Sequence, residues 1–169
     1  MSVLAGHIKP QNGIISASGA VSYCSQESAL LDELSVLDNL KFWAAAYKTD
    51  WRVFLEKKET FFPVTQDFLR KRVKNLSGGM KKQLAIGLAL LPNPAFLILD
   101  EPTAALDASF ISSFRETLFE LKKKNIGVLF SSHHGEELMW ADIIYVLKDA
   151  KFSFIGSLPN AAALYDLIN

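Results

Sequence analysis

Short apolar runs alternate with longer segments of helical periodicity over the second half of the chain. The runs predict strands at residues 96–99, 127–130, 143–147 and 152–155. The segments between them predict helices over residues 108–124 and, after His133, through about Met139. Continuous apolar strands that alternate with helices are typical of sheets buried on both faces. The pattern therefore predicts an α/β fold with a mainly parallel sheet.

The first half of the chain has a different pattern, mostly helical after a short β-prone start. Residues 1–5 predict the last turn of a helix, because Gly6 is a typical helix stop. Glycine-containing turns bracket two β-prone stretches, 14–15 and 20–23, which predict a small hairpin. Three further helices are predicted at residues 38–47, 51–62 and 80–91. We therefore expect a mostly helical segment between the start of the chain and the apolar strands.

Composition narrows the class of protein without identifying it. The chain has 169 residues, half of them apolar, which is enough for one domain with a real core. Eighteen basic residues balance eighteen acidic ones, so no net charge favours nucleic acid or anionic lipid. The single cysteine, Cys24, cannot form an internal disulfide and is expected to be a small buried apolar residue. The most apolar stretch, residues 84–99, contains two prolines and is therefore expected to form a helix and then a strand, not a membrane span. We accordingly expect a soluble intracellular protein.

The turn Leu76-Ser77-Gly78-Gly79 can offer backbone N–H groups to an anion at the start of a helix. The Ser77 hydroxyl can cap this helix and also contact a phosphate. A side chain at Gly78 or Gly79 would keep the backbone away from an anion. An ordinary serine cap with a Gly-Gly loop accounts for the turn equally well.

Two carboxylates follow the predicted strand at residues 96–99. Asp100 can hold Mg²⁺ through its hydration shell, and Glu101 can polarise an attacking water. Acids at strand ends are common, but their combination with the Gly-rich helix start, in this order and spacing, indicates a nucleotide-hydrolysing site. It is half of such a site, because none of the nine glycines is followed by lysine and the printed chain has no G-x-x-x-x-G-K-[ST] phosphate loop.

Five motifs in this order resemble the ATP-binding-cassette (ABC) ATPase family, from Leu4 to about Gly156. They are the signature motif at residues 76–79, the Walker B strand with its glutamate at 96–101, the D-loop Ala105-Leu106-Asp107, the switch histidine in Ser132-His133, and the Q-loop Tyr23-Cys24-Ser25-Gln26. The resemblance implies a P-loop NTPase-like, three-layer α/β fold. It implies a RecA-like core at residues 1–26 and 91–169 and an inserted helical subdomain at about 27–90.

The resemblance also implies roles for single residues. Those implied in catalysis are Glu101, His133 and Gln26; those implied to contact ATP are Ser77, Gly78, Gly79, Asp100 and Asp107; those implied to hold Mg²⁺ are Asp100 and Gln26. Asp107 has an equally good local explanation as the N-cap of the helix that follows it. His134 is expected to face solvent beside His133.

The cofactors and partners implied by the resemblance are ATP, Mg²⁺, a second ABC ATPase domain in a head-to-tail dimer, and a transmembrane permease subunit. No nucleic acid is expected. The implied location is the cytoplasmic face of a membrane, peripheral through the permease. Residues 34–40 and Met80-Lys81-Lys82 look most like ATP-binding subunits of exporters with separate membrane subunits, the ABC-2 type.

In this family a strand, an adenine-stacking aromatic and the phosphate loop precede the segment that resembles residues 1–6. We therefore expect a truncated product, a fragment or an incorrectly assigned start, and we expect residues 1–169 alone neither to bind nor to hydrolyse ATP. The main hypothesis is the ATP-binding subunit of an ABC transporter. Two alternatives stay open: a non-catalytic cassette that donates its signature motif to another subunit, and a fragment of a soluble, non-transport ABC ATPase.

Overall fold

The computed structural model describes residues 1–27, 29–56, 62–104, 106 and 108–156. The chain divides into two compact units, Met1–Ser131 and Ser132–Asn169. Within the described residues, no helix has the length and apolar character needed to cross a membrane.

A parallel three-stranded sheet lies at the centre of the first unit. Its strands are β1 (Val21–Cys24), β2 (Phe96–Leu99) and β3 (Gly127–Phe130), in the order β1-β2-β3. They pair in register, with Cys24 opposite Leu99 and Leu99 opposite Phe130. The side chains of Leu97, Ile98 and Leu99 are buried, as expected for the central strand of a covered sheet.

The described part of the first unit also contains five α-helices and a 3₁₀ turn at Val73–Asn75. The helices are α1 (Val36–Ala46), α2 (Trp51–Leu55), α3 (Gln66–Arg70), α4 (Gly78–Ala89) and α5 (Ala108–Lys123). The first four begin at polar caps, Ser35, Asp50, Thr65 and Ser77, whose side-chain oxygens accept hydrogen bonds from backbone N–H groups of the first turn. α4 packs against β1, and α5 packs against β3. The helices thus cover the sheet that carries the candidate site residues.

Asn39 fixes the loop that connects β1 to α1. Its side chain is fully buried; Nδ2 donates to the carbonyl oxygens of Leu31 and Ser35, each at 3.0 Å, and Oδ1 accepts from the Leu31 N–H at 2.8 Å. The N–H of Val73 donates to the Leu34 carbonyl at 2.9 Å from the 3₁₀ turn. The loop backbone is therefore satisfied by polar partners on both sides.

The second unit contains a short helix and an antiparallel hairpin. These elements are α6 (Gly135–Leu138), β4 (Ile144–Lys148) and β5 (Lys151–Gly156). The two-residue turn between the strands, Asp149-Ala150, has positive φ at both positions, as a type I′ hairpin requires. Tyr145 lies against Phe152 and Phe154 on the hairpin.

The strands predicted at 96–99 and 127–130 and their parallel pairing are confirmed, as are the helices over α1, α4 and α5. The hairpin predicted from residues 14–15 and 20–23 is wrong. Ile14 is 96% exposed and not in a strand, whereas β1 pairs with β2 from a distant part of the sequence. Pairing with β2 places β1 in a covered sheet, which a short exposed hairpin could not do.

The helix predicted at 51–62 is shorter than expected, because α2 ends at Leu55; residues 57–61 lie outside the described part. Sequence periodicity did not predict α3, which is only 5 residues long. The division into a helical subdomain at about 27–90 and a core at 1–26 and 91–169 stays a prediction.

Replacement of Asn39 by leucine should lower the free energy of unfolding by about 2–4 kcal/mol, because buried backbone groups of the loop lose their partners. Urea denaturation followed by circular dichroism measures this change. The matched control is Lys41→Leu at an exposed position of the same helix, which should shift stability by no more than about 0.5 kcal/mol. Equal effects of the two substitutions would contradict this explanation.

Candidate functional site

The three parallel strands end side by side, and the residues that follow them form the candidate site. The Asp100 N–H donates to the Cys24 carbonyl at 3.0 Å, and the Ser131 N–H donates to the Leu99 carbonyl at 3.1 Å. These bonds extend the strand pairing by one step past β2 and β3. They place Asp100 and Ser131 at the carboxyl edge of the sheet, where parallel α/β sheets bind ligands.

The Asp100 carboxylate is held by hydroxyl groups from both neighbouring strands. Oδ1 accepts a hydrogen bond from the Ser131 hydroxyl at 2.8 Å. Oδ2 accepts one from the phenol of Tyr23, on β1, at 3.2 Å. The two bonds fix the orientation of the carboxylate and leave each oxygen a further lone pair.

Glu101 and Gln26 meet at the same edge. The Gln26 side-chain amide donates to Glu101 Oε2 at 3.3 Å. The Glu101 backbone has φ of +44°, which is unusual for a residue other than glycine, and its N–H donates to the Ser131 hydroxyl at 2.9 Å. Ser131 therefore connects the two acidic residues, accepting a bond from one and donating to the other.

Lys82 is a buried cation beside these residues. It lies on α4 and is 8% exposed; its ammonium contacts the carbonyl oxygens of Ser25 and Asp100, each at 3.3 Å. Sequence reasoning missed both Ser131 and Lys82. A signal for Lys82 was present, because helical spacing places it on the same buried face as Ala85 and Ile86.

The signature turn caps α4 as expected. The Ser77 hydroxyl accepts a hydrogen bond from the Met80 N–H at 3.2 Å. A Cβ at Gly78 would meet nothing within 4 Å, and one at Gly79 would lie 3.6 Å from the Leu106 side chain, an ordinary contact. Neither glycine has positive φ. Folding of the described residues therefore does not require glycine at either position.

An open cavity of about 430 Å³ joins the signature turn to the carboxyl edge of the sheet. Its lining consists of Gln26, Leu30, Asp32, Gly78, Lys81, Lys82, Glu101, Ala104 and Leu106. Lys81 forms an ion pair with Asp32 at 2.9 Å. The cavity thus brings together three residues singled out from the sequence, Gly78, Gln26 and Glu101.

Cys24 is a buried residue at the end of β1. Burial raises the pKa of its thiol; the charge of Lys82 lowers this pKa and that of Asp100 raises it, but burial has the largest effect. The thiol is therefore protonated at neutral pH, which suits a small packed side chain and not a nucleophile.

The polar groups at this edge suit a metal ion that takes some of its ligands from the protein and the rest from a nucleotide. Mg²⁺ is usually bound through one or two carboxylates together with phosphate oxygens. Asp100 offers a carboxylate of this kind, and the Gln26 side chain offers a neutral amide oxygen. In the described part of the chain, no group of three or more His, Cys, Asp or Glu side chains could hold a metal alone.

The roles of two of the predicted site residues, His133 and Asp107, stay predictions. His133 belongs to the second unit, where both it and His134 are exposed, and Ser132 donates to Glu137 at 2.6 Å. Asp107 and Ala105 lie outside the described residues. Of the proposed D-loop, only Leu106 is described, and it lies next to Gly79.

A family model described as "ABC transporter" matches residues 1–104, more than half of the chain. The chain belongs to the ABC transporter family. The uncharacterised ABC transporter ATP-binding protein YxlF of Bacillus subtilis is 32% identical over 171 residues, covering 95% of this chain. The chain spans 57% of YxlF, and for other curated relatives of the family this share falls as low as 19%.

Solved structures of ABC proteins share the fold. An ATP-binding subunit of an ABC transporter matches with a TM-score of 0.81 at 24% identity, covering 98% of this chain and 75% of that one. The cassette MJ0796, in a dimeric post-hydrolysis state with ADP and Pi, matches with a TM-score of 0.69 at 22% identity, covering 81% and 62%. The predicted P-loop NTPase-like α/β fold is confirmed by these matches.

Replacement of Ser131 by alanine should destabilise the chain by about 1–2 kcal/mol, because the Glu101 N–H and one Asp100 oxygen lose their partner. Urea denaturation measures the change. Ser112→Ala, at an exposed position of α5, is the matched control and should alter stability by less than about 0.5 kcal/mol. If Ser131→Ala were as mild as this control, the hydroxyl would not hold the acidic residues in place.

Proposed function

We propose that residues 1–169 are part of an ATP-binding subunit of an ABC transporter and carry the signature turn and the acidic part of its hydrolytic site. The observation that supports this most is the contact between Gln26 and Glu101 at the carboxyl edge of the sheet, beside an Asp100 whose carboxylate is already oriented. These groups come from separate parts of the sequence and converge where α/β folds bind nucleotides.

The proposed roles follow from what each group can do. Glu101 orients and polarises the attacking water, with Gln26 holding its carboxylate in place. Asp100 contributes to a Mg²⁺ site, and Mg²⁺ would supply neutralisation of charge on the phosphates. His133 contacts the terminal phosphate, since a neutral imidazole can donate a hydrogen bond to it. Asp107 contacts the dimer partner's side of the site.

The two glycines of the signature turn support a binding role. Most residues stabilise a helix more than glycine does. Neither Gly78 nor Gly79 is required by the backbone conformation or by close packing. Open space beside Gly78 and a capped helix N-terminus suit the close approach of a phosphate group. We therefore assign Ser77, Gly78 and Gly79 to contact with ATP held by a second ATPase domain.

The partners proposed are a second ABC ATPase domain in a head-to-tail dimer and a transmembrane permease subunit. The dimeric cassette among the structural relatives supports the first of these. In the chain, α1 to α4 lie between β1 and β2, which supports an inserted helical subdomain at about 27–90 as the part that meets the permease. The protein would then act at the cytoplasmic face of a membrane.

Replacement of Glu101 by glutamine should reduce ATP hydrolysis by about two orders of magnitude or more, because an amide cannot act as a base. The measurement is phosphate release by the complete gene product, expressed from its native gene together with its membrane partner. The Glu136→Gln control alters an exposed glutamate of α6 and should leave the rate unchanged. Parent-like hydrolysis by the Glu101 variant would refute the proposed role.

Replacement of Gly78 by alanine should separate binding from folding. Stability should stay within about 1 kcal/mol of the parent, or rise, because alanine favours the helix and meets no neighbour. ATP-dependent dimerisation, measured by light scattering on the complete gene product, should be lost. Loss of stability together with dimerisation would instead indicate a packing role for Gly78.

A non-catalytic cassette that donates its signature turn is the second candidate. The observation that favours it is the open space beside Gly78 at the capped start of α4, which suits a phosphate group held by another domain. Calorimetric titration of residues 1–169 with Mg-ATP should give no binding above background. A mixed dimer in which substitution of Ser77 abolishes hydrolysis but substitution of Glu101 does not would favour this candidate over the first.

A further inference from the structure

Lys82 occupies a position where a lysine is costly. Its side chain lies inside the first unit, 8% exposed, on the face of α4 that otherwise carries Ala85 and Ile86. A buried ammonium is tolerated only when polar groups replace the water it loses. Here the replacement is two backbone carbonyl oxygens, those of Ser25 and Asp100, each 3.3 Å from the nitrogen.

The two carbonyls belong to matching places in neighbouring strands. The Ser25 carbonyl is part of the peptide bond that leads into Gln26, and the Asp100 carbonyl is part of the one that leads into Glu101. The side chains of Gln26 and Glu101 are the pair that meet at 3.3 Å. One cation therefore contacts both backbone segments immediately before this pair.

We propose that Lys82 is a positioning residue, whose ammonium joins the peptide groups before Gln26 and Glu101 and so sets the distance between these two side chains. This inference rests on the proposed function, which gives the reason for holding Gln26 and Glu101 together. Its test, however, uses no nucleotide.

An ammonium group is well suited to join two backbone carbonyl oxygens. The first residues past two adjacent strands expose carbonyl oxygens that no further strand pairing satisfies, and lysine offers three N–H donors at the end of a long side chain. The Glu101 backbone adds a second reason, because it has a positive φ and its N–H is bonded to Ser131. A contact on the preceding carbonyl fixes the other side of the same strained residue.

The neighbouring Lys81 provides a matched comparison. It lies on the same helix turn and lines the same cavity, but it pairs with the Asp32 carboxylate and not with the strand ends. Lys81→Met removes the same charge from the same region without removing the contact to Ser25 and Asp100. Any effect shared by Lys81→Met and Lys82→Met is then an effect of charge on α4.

The experiment is amide hydrogen exchange by NMR on the 169-residue chain and its Lys82→Met, Lys82→Arg and Lys81→Met variants. In Lys82→Met, the N–H groups of Asp100 and Glu101 should exchange about tenfold faster than in the parent, and the Gln26 side-chain amide should change its chemical shift. Lys82→Arg should restore slow exchange, because a guanidinium also donates to carbonyl oxygens. Lys81→Met should match the parent.

Reference amides separate positioning from loss of stability. The Val73 N–H, bonded to the Leu34 carbonyl, should keep its exchange rate in every variant. Uniformly faster exchange, including Val73, or equal effects of Lys82→Met and Lys82→Arg, would overturn the proposal. If Lys82→Met does not fold, Lys82→Gln takes its place under the same criteria, with Lys82→Arg again as the rescue.

The two proposals fail separately. Loss of local protection in Lys82→Met, combined with parent-like ATP hydrolysis in Glu101→Gln, would support the contact and reject the function. Unchanged protection at Asp100 and Glu101, combined with lost hydrolysis in Glu101→Gln, would reject the positioning role and keep the function.

Discussion

The in-register parallel pairing of three short strands is the constraint on which the candidate site depends. β1, β2 and β3 each have 4 residues and end at the same level. Parallel strands of equal length present their last carbonyls and next side chains at one edge. Gln26, Asp100 and Ser131 become neighbours for this reason, although they are far apart in the sequence. A shift of one residue in the pairing of β1 with β2 would move every side chain of the shifted strand to the other face of the sheet.

Polar contacts then convert this edge into a defined arrangement. The hydroxyls of Tyr23 and Ser131 hold Asp100, and Ser131 also accepts the bond from the Glu101 N–H. Lys82 contacts the backbone carbonyl oxygens at the ends of two strands. The site is thus held through its main chain as well as through its side chains, and this leaves the acidic groups few alternative orientations.

Local sequence patterns predicted the elements that are determined by interactions within one segment of the chain. The apolar run of β2, the serine cap of α4 and the periodicity of α5 each contain enough information within one segment. The wrong hairpin at residues 14–23 shows the limit of this reasoning. β1 is a short β-prone stretch whose partner lies more than seventy residues away, and no local pattern identifies such a partner.

The candidate site follows the same division. Asp100, Glu101, Gln26 and Gly78 could be singled out because they stand in motifs with fixed spacing. Ser131 stands in none of the motifs, and Lys82 belongs only to a pattern that suggests a subtype of the family. Their places in the site depend on strand pairing and on which side of α4 is buried. Residues that hold a site in place are hard to find from sequence, because their partners are backbone atoms, which every residue has.

The left-handed backbone of Glu101 has a consequence for how this protein can change over time. Glycine adopts φ of +44° without strain, whereas glutamate there costs about 1–2 kcal/mol. If this position had no function, replacement of the glutamate side chain by the hydrogen atom of glycine would raise the free energy of unfolding. In the proposed function, the chemistry of the carboxylate offsets this conformational cost, so a cassette without a hydrolytic role would be more stable with glycine at this position.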